Sequence, residues 1–321
     1  MKKGVRITAL FLLPSLILIF PAVSLGADSI KNYQVVFRPF TTGAQTFIAI
    51  RTFERNGSPK LLAVHTDTLE TAELDAKQRF LPSGDGTWKN SPFCKLLPQG
   101  TSSSCPRQND GLSQAGHGAS GSYLTVDMCP SRKPFEKRFF EKLAELSKKR
   151  KDAVPVAIAI TGAWLLKHEQ DFSYILDLIN KNKIQVTWVN HSFHHSYRPG
   201  KDLDENFLLL PGTNFDAEVM KTEILLLERN LLPSVFFRFP GLVSDCDLIS
   251  RLRHFSLIPV GSRAWLAKGE TVKEGSIILL HGNGNEPAGI SLFLKLFQSR
   301  EDEFLRGKFR LRPLGEAFLE S

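Results

Sequence analysis

Residues 184–195 read IQVTWVNHSFHH, an apolar run that ends in an asparagine and three histidines within five residues. A short β-branched and aromatic run of this kind predicts a buried strand. His191, His194 and His195 then lie just past the carboxyl end of that strand. They are a candidate metal site only if other polar residues reach the same edge of the fold, because a histidine cluster alone also fits a solvated loop.

Six further apolar runs alternate with amphipathic stretches from Ser122 onward. The amphipathic stretches have helical spacing; Phe135, Phe139 and Leu143, for example, share one face. Strands that alternate with helices predict a parallel sheet, open or closed into a barrel. The seven predicted strands are 122–127 (SYLTVD), 154–161 (VPVAIAIT), 184–190 (IQVTWVN), 234–240 (SVFFRFP), 256–261 (SLIPVG), 276–282 (SIILLHG) and 308–314 (KFRLRPL).

Several of these strands end in polar residues. The first ends in Asp127, the third in Asn190 and His191, the fourth carries Arg238 near its end, and the sixth ends in His281. In a parallel α/β fold, functional groups gather at the carboxyl ends of the strands. An acid, imidazoles and a guanidinium are therefore predicted to converge on one rim.

This order of motifs resembles the NodB-type polysaccharide deacetylases. The matching segments are LTVD at 124–127, NHSFHH at 190–195, RFPG at 238–241 and ILLHGN at 278–283, and the resemblance covers roughly residues 122–315. It implies an α/β fold, a distorted (β/α)7 barrel. It also implies an enzyme that removes acetyl groups from sugars with a divalent metal, usually zinc. H-x-x-x-H alone is common, but four motifs in order, each after an apolar run, are more specific.

The resemblance also implies a role for each matching residue. His191 and His195 bind the metal, with an i, i+4 spacing that suits two imidazoles on one helical turn. Asp127 is the general base on water, and Arg238 pairs with that base and holds it. His281 is the general acid toward the leaving amine.

The first motif departs from the family pattern T-F-D-D-G, whose second aspartate is the third metal ligand. Here Met128 follows Asp127, and a thioether is a poor ligand for zinc. The third ligand is therefore open. Asp127 could enter the metal shell, Cys129 could bind as a thiolate, or two histidines and water could hold the metal; absence of a metal is the remaining alternative.

Three residues near the predicted rim are candidates for substrate binding: Asn190, Pro240 and Trp265. Asn190 either caps its loop or donates to a substrate carbonyl, and Trp265 could form a wall of the pocket. The family places an acid near this tryptophan that tunes its catalytic histidine. The segment GSRAWLAKG contains no clear counterpart, so the group that orients His281 is unassigned. His194 is a bystander, because the motif spacing favours His195.

Residues 1–26 have the pattern of a secretory signal peptide, in which Lys2, Lys3 and Arg6 precede an apolar run and small residues follow. An uncleaved anchor is the alternative, but two prolines in the run and the small residues directly after it favour cleavage after Gly26. We expect a periplasmic or secreted protein without a stable membrane span after cleavage. Cleavage removes three cations and no acid, so the net charge falls from +8 to about +5. This mild bias is compatible with an anionic cell-wall substrate, and no dense basic patch indicates nucleic acid.

Residues 27–121 are predicted to form a small β-rich extension and a loop connector. YQVVFRPF and TFIAIRTFE read as strands, KLLAVHTDTL as a third, and residues 82–121 are rich in Gly, Ser, Pro, Asn and Asp. The four cysteines allow three pairings in an oxidising compartment. We expect Cys94 to pair with Cys105 across a short polar loop. Cys129 and Cys246 would then be partners between two loops of the rim, or free thiols.

These observations predict an exported metal-dependent hydrolase whose catalytic domain is residues 122–321. Its substrate would be an N-acetylated envelope polysaccharide such as peptidoglycan. One alternative is a catalytically impaired glycan-binding protein on the same fold, suggested by Met128 and the blurred motif around Trp265. The other is a hydrolase of a non-sugar amide or ester.

Overall fold

The computed structural model describes residues 28–78, 80–81, 86–98, 105 and 107–320 of the chain. The predicted signal peptide lies outside these residues. The described part contains a four-stranded antiparallel sheet and a seven-stranded sheet. No helix within it combines the length and the apolarity that crossing a bilayer would require.

The N-terminal sheet is a meander in which each strand pairs antiparallel with the next. Its two-residue turn at Asn56 and Gly57 has both residues at positive φ, as an Asn-Gly hairpin requires. The three predicted strands are present, and a fourth strand with little β-branched or aromatic character completes the edge. The strands are β1 (Ile30–Thr42), β2 (Gln45–Arg55), β3 (Ser58–His65) and β4 (Thr71–Asp75).

The second sheet is entirely parallel. Its strands are β5 (Tyr123–Met128), β6 (Val154–Ile160), β7 (Ile184–Asn190), β8 (Phe236–Phe237), β9 (Ile258–Pro259), β10 (Ala264–Trp265) and β11 (Ile277–His281). They lie in the order β10-β11-β5-β6-β7-β8-β9, as a curled half-barrel with helices. The predicted fold class, a distorted barrel of seven parallel strands with a β-rich N-terminal extension, is confirmed.

One predicted strand is wrong. Within residues 308–314, Leu311 makes only an isolated bridge to Ser122. The seventh strand is instead the two-residue β10, which pairs with β11. This pair lies in GSRAWLAKG, which contains no apolar run that would indicate a strand.

Four helices, at residues 137–150, 162–167, 169–180 and 287–305, pack on one face of the parallel sheet, whereas the helix at 314–319 packs on the other. Leu124, Val126 and Met128 of β5 share a buried cluster with Phe139 and Leu143, which lie on the predicted apolar face of the second helix. The helices are α1 (Pro92–Leu96), α2 (Lys137–Arg150), α3 (Gly162–Lys167), α4 (Glu169–Asn180), α5 (Phe215–Leu227), α6 (Cys246–His254), α7 (Pro287–Leu305) and α8 (Leu314–Leu319).

The opposite face of the parallel sheet packs against the N-terminal sheet. Ala157, Ala159 and Val189 share a buried apolar cluster with Ile50 and Leu62 of β2 and β3. Small side chains on β6 let the two sheets approach closely. The N-terminal sheet is therefore part of the main hydrophobic core.

The connector between the sheets runs along the edge of the half-barrel. Leu112 bridges Val260, just after β9, and Gln114 bridges Ser276, just before β11. Both ends of the Asn109 side-chain amide are bound to the backbone of residue 262. Residues 107–115 are thus ordered against the edge of the parallel sheet, which their polar composition did not predict.

Both predicted cysteine pairings are wrong. The structure joins Cys105 to Cys246, whose Cα atoms lie 5.3 Å apart, and leaves Cys94 and Cys129 as free thiols. The connector brings Cys105 to the first residue of α6, whereas Cys94 lies in α1. Cys129 points instead at His191.

Candidate active site

The carboxyl ends of the parallel strands bring together four of the predicted residues. Asp127 and His281 are register partners on neighbouring strands. Arg238 Nη1 donates a hydrogen bond of 2.9 Å to Asp127 Oδ1. His191 Nε2 lies 3.6 Å from Asp127 Oδ2.

Asp127 is a buried carboxylate, 3% exposed, held by an equally buried arginine. Arg238 also donates to Thr125 Oγ1 at 2.7 Å and to the carbonyl of Gly261 at 3.0 Å, so its guanidinium is fixed. Burial alone would raise the pKa of Asp127, but the charges of Arg238, His191 and His281 outweigh it and lower this pKa. The carboxyl group is therefore ionised at neutral pH.

His191 is oriented by the backbone. Its Nδ1–H donates to the carbonyl of Arg238 at 2.8 Å, which leaves Nε2 as the acceptor nitrogen. Burial lowers the pKa of His191, although Asp127 opposes this effect. A neutral imidazole with a fixed tautomer and a free Nε2 is the form that binds metals.

Cys129, His191 and His195 form a group that could hold a metal ion. Their ligand atoms all lie within 4.8 Å of one another. Cys129 Sγ is 3.4 Å from His191 Nε2, close to the separation of about 3.6 Å between a sulfur and a nitrogen of one tetrahedral zinc site. His195 Nε2 is buried and has no hydrogen-bond partner among the described residues. The donor set and this orphaned nitrogen fit a divalent metal.

The geometry favours Cys129 among the alternatives for the third ligand. Met128 is fully buried in the cluster beneath the helices, so its thioether points away from the rim. Asp127, the first of those alternatives, is not one of the three clustered residues, and one of its oxygens is bound to Arg238.

The segment 190–195, called the histidine loop below, is not a helical turn as its spacing predicted. It contains no helix, and Ser192 and His195 adopt left-handed backbone angles, with φ of 67° and 52°. The two imidazole rings still meet, with centroids 4.8 Å apart. A kinked loop brings them together in place of a helix.

Glu218 of α5, which sequence reasoning missed, organises this loop. Its Oε2 accepts the backbone N–H groups of Phe193 and His194, and its Oε1 lies 2.5 Å from His194 Nδ1. His194 is thereby bound to α5 and is not part of the Cys129, His191 and His195 group. An acid so far along the chain from the motif gives no local signal in the sequence.

The structure does not support a substrate-binding role for Asn190. Its Oδ1 accepts the N–H of Ser192, its Nδ2 donates to the carbonyl of Val219, and the residue is 1% exposed. Pro240 is also buried and does not line the cleft described below. The capping alternative for Asn190 is the one that the contacts favour.

The missing partner of His281 is Glu286, which sequence reasoning also overlooked. Its Oε2 lies 2.8 Å from His281 Nδ1 and accepts a hydrogen bond of 2.7 Å from Trp265 Nε1. Glu286 follows His281 by five residues in HGNGNEP, so the signal was present but lay after the strand instead of beside Trp265.

Charges couple Cys129, His281 and Glu286. Burial opposes the imidazolium of His281, but Cys129, Glu286 and Asp127 outweigh it and raise the pKa of His281 well above its ordinary value. Burial would raise the pKa of Cys129, yet His195 and His281 lower it to about 7. Burial likewise opposes ionisation of Glu286, and the hydrogen bond with His281 lowers its pKa. The rim therefore favours a thiolate beside an imidazolium.

A cleft of about 680 Å³ opens above these groups, with Cys129, His195 and His281 among its lining residues. Its walls include three aromatic rings, among them Tyr197, which is 60% exposed and stacked on Phe207. Trp265 forms another wall, as predicted, and Lys268 Nζ lies 3.6 Å from its ring centroid. Rings of this kind offer flat apolar surfaces beside polar groups.

No protein-family model matches the chain. Its structure is similar to those of family 4 carbohydrate esterases, the NodB-type deacetylases. One, from Bacillus anthracis, is 17% identical with a TM-score of 0.45, and the match covers 66% of this chain and 89% of that chain. The chitin deacetylase of the fungus Colletotrichum lindemuthianum is 15% identical with a TM-score of 0.45, covering 66% and 92%. A family 4 pseudoenzyme from Bacillus anthracis is 13% identical with a TM-score of 0.43, covering 64% and 68%. At these levels of similarity, function has to be argued from the side chains of the rim.

Proposed function

We propose that this protein is a metal-dependent hydrolase that removes acetyl groups from N-acetylated sugars of a cell-envelope polysaccharide. One observation carries the proposal. A Cys/His/His ligand group lies beside an ionised carboxylate held by an arginine and an imidazolium held by a glutamate. Amide hydrolysis needs these three parts: a Lewis acid, a base for water and an acid for the leaving amine.

Cys129, His191 and His195 would hold the metal. A set of one thiolate and two imidazoles suits zinc better than magnesium or calcium, which prefer oxygen ligands. A bound zinc ion would polarise the acetyl carbonyl and make water more acidic.

Asp127 is the group we assign as general base. It is ionised, and Arg238 fixes one of its oxygens so that the other, Oδ2, is free to accept a proton from the attacking water. As the new C–O bond forms at the acetyl carbon, that proton moves to Asp127 and the carbonyl oxygen takes up negative charge.

His281 is the group we assign as general acid. Cys129 and Glu286 raise the pKa of its imidazole, so it can donate a proton to the amide nitrogen as the C–N bond breaks. The products are acetate and a free amine on the sugar. Tyr197, Phe207 and Trp265 supply the aromatic surfaces on which pyranose rings can pack.

Export is part of the same proposal and is supported by the signal-peptide pattern of residues 1–26. An envelope polymer such as peptidoglycan would then meet the enzyme in the periplasm or outside the cell. The disulfide between Cys105 and Cys246 is compatible with an oxidising compartment.

The test measures bound metal and acetate release from chitooligosaccharides and from peptidoglycan with the purified mature chain. We expect about one zinc per chain and acetate release that falls by at least about 10²-fold in Asp127→Asn and His191→Ala. Cys129→Ser should lower metal affinity about 10–100-fold. Cys94→Ser is the matched control, since Cys94 is a free thiol outside the site.

The outcomes separate the alternatives. Glycan binding without acetate release would favour the impaired glycan-binding protein, and release from a small amide or ester but not from sugars would favour the non-sugar hydrolase. Acetate release that survives both Asp127→Asn and His191→Ala would refute the site assignment. Equal metal affinity in Cys129→Ser and Cys94→Ser would refute the thiolate ligand.

A further inference from the structure

Helix α5 is the platform for the histidine loop. Glu218 accepts two backbone N–H groups of the loop, as described above. One turn further, Thr222 Oγ1 donates to the carbonyl of Ser192 at 2.9 Å. The carbonyl of Val219 accepts the amide of Asn190 at 2.9 Å. The backbone between the two candidate ligands is therefore tied directly to α5.

The N-terminal sheet holds α5 at the residue next to Thr222. Arg51 of β2 makes two hydrogen bonds to Glu223, of 2.8 Å from Nε and 2.9 Å from Nη2. Tyr33 of β1 donates a third, of 2.8 Å, to the same carboxylate. Arg51 is fully buried and Glu223 is 1% exposed.

The rest of the arginine is also fixed. Its Nη1 donates to the carbonyls of Ile50 and Phe255, each at 2.8 Å. Replacing a buried ion pair by apolar side chains is often neutral for stability, so the pair is weak evidence of a stabilising role. The three hydrogen bonds on the Glu223 carboxylate are directional, and together they fix the rotation of α5 about its axis and its position along the sheet.

We propose that the N-terminal sheet is the positioning element of the metal site. Arg51 and Tyr33 fix Glu223, Glu223 fixes α5, and α5 holds the histidine loop so that His191 and His195 face Cys129. Arg51, Tyr33, Glu223 and Glu218 are positioning residues in this scheme. It rests on the proposed function only in taking the two histidines as metal ligands.

The histidine loop is also bound to α3, so we expect a partial and not a complete loss of metal affinity when α5 moves. The backbone N–H groups of Gly162 and Ala163 at the start of α3 donate to the carbonyls of Ser192 and Phe193, at 3.2 and 2.9 Å. The loop therefore stays attached when α5 moves, and the distance between the ligands changes without release of the loop.

The test variant combines Tyr33→Phe, Arg51→Met and Glu223→Met in the full mature chain, so that no buried charge or hydroxyl is left alone. The matched control is Arg55→Met with Glu73→Met. Arg55 pairs with Glu73 within the same sheet and donates to the carbonyl of Leu227 at the end of α5, beyond the part that holds the loop.

Two readouts follow each variant: calorimetric titration with Co²⁺, and hydrogen exchange of the amides of Phe193 and His194. We expect the triple variant to bind Co²⁺ about 10–100-fold more weakly and to exchange both amides at least about tenfold faster. The control should stay within about threefold on both measures. Excess metal should restore acetate release by the triple variant but not by His191→Ala.

Wild-type exchange rates at Phe193 and His194 in the folded triple variant would overturn the proposal, as would equal effects in the control pair. A wild-type chain that binds no metal would refute the proposed function, while the exchange rates would still decide the positioning role. If the triple variant does not fold, Tyr33→Phe and Thr222→Val test two links of the chain separately. Each should accelerate the same amides, and an unchanged rate in both would overturn the proposal.

Discussion

The alternation of side chains along β5 separates Met128 from the residues of the rim. Successive residues of a strand point to opposite faces, so Met128 belongs with the helices while Asp127 and Cys129 share the side of the rim. A side chain at position 128 on this backbone points into the apolar cluster beneath the helices, away from His191 and His195. The next residue reaches the same histidines, and its sulfur is a good ligand for zinc.

At the same scale, Glu286→Gln should lower kcat about 10–100-fold and leave KM nearly unchanged. Glutamine removes the negative charge beside His281 but keeps an oxygen that can accept the hydrogen bond of Trp265 Nε1. The folded pKa of His281 is raised, so the imidazolium persists above its ordinary pKa; without the carboxylate this pKa falls. The alkaline limb of the pH profile of kcat should therefore move to lower pH.

Glu270→Gln is the control for that experiment. Glu270 Oε2 accepts the backbone N–H of Trp265 at 2.6 Å, so it lies in the same neighbourhood and bonds the tryptophan from its other side. Its substitution should leave the alkaline limb in place. A limb that stays fixed in Glu286→Gln, or moves equally in both variants, would contradict the assigned role of His281.

At the scale of elements, a glycine lets the histidine loop lie against α3. A Cβ atom at Gly162 would come within 2.2 Å of the ring of Phe193. Alanine in a helix is normally about 1 kcal/mol better than glycine, and here the ring reverses the sign. The geometry of the histidine loop, and with it the proposed metal site, thus depends on the absence of one methyl group.

Gly162→Ala is expected to displace Phe193, weaken metal binding about tenfold or more and destabilise the protein by about 1–3 kcal/mol. Gly315→Ala, in the second position of α8, is the matched control, because the nearest atoms to its Cβ lie at 3.7 and 3.9 Å. Thermal unfolding and Co²⁺ titration of both variants check the prediction. If both variants are more stable than the wild type, Phe193 can move aside without a loss of stability, and the prediction is wrong.

The disulfide is the other element-level constraint. It joins residues 141 positions apart and fastens the connector beside the cleft, where Gln108 is a lining residue. Replacing Cys105 and Cys246 together by serine should lower the free energy of unfolding by about 2–4 kcal/mol, measured by urea denaturation. Cys94→Ser should change it by less than about 0.5 kcal/mol; equal losses would mean that the crosslink adds nothing.

For the whole molecule, sequence patterns predicted what local periodicity encodes. The long strands β5, β6, β7 and β11 and the amphipathic helices were readable, and so was the convergence of Asp127, His191, Arg238 and His281 on one rim. Contacts between distant segments were not, because they leave no periodic signal. The contacts of Glu218, the partner of Cys105 and the use of residues 107–115 along the open edge all depend on how the chain returns to the rim.

The sequence of the N-terminal segment reads as an appendage, because its strands have their own alternation of polar and apolar residues. In the structure its apolar face is the second wall of the core, and the buried bonds of Arg51 and Glu223 join it to α5. The boundary predicted at residue 121 therefore separates two segments of sequence that share one hydrophobic core.

The last prediction follows from that shared core. A fragment of residues 122–321 should not fold on its own, because the face of the parallel sheet that carries Ala157, Ala159 and Val189 would lie open to water. We expect weak near-ultraviolet circular dichroism, binding of a hydrophobic dye and no cooperative thermal transition. The mature full-length chain, prepared in parallel, should show a single transition, and co-expression of residues 28–121 as a separate chain should restore it to the fragment. A fragment that unfolds cooperatively and binds Co²⁺ as tightly as the full chain would make the N-terminal sheet a separate domain after all.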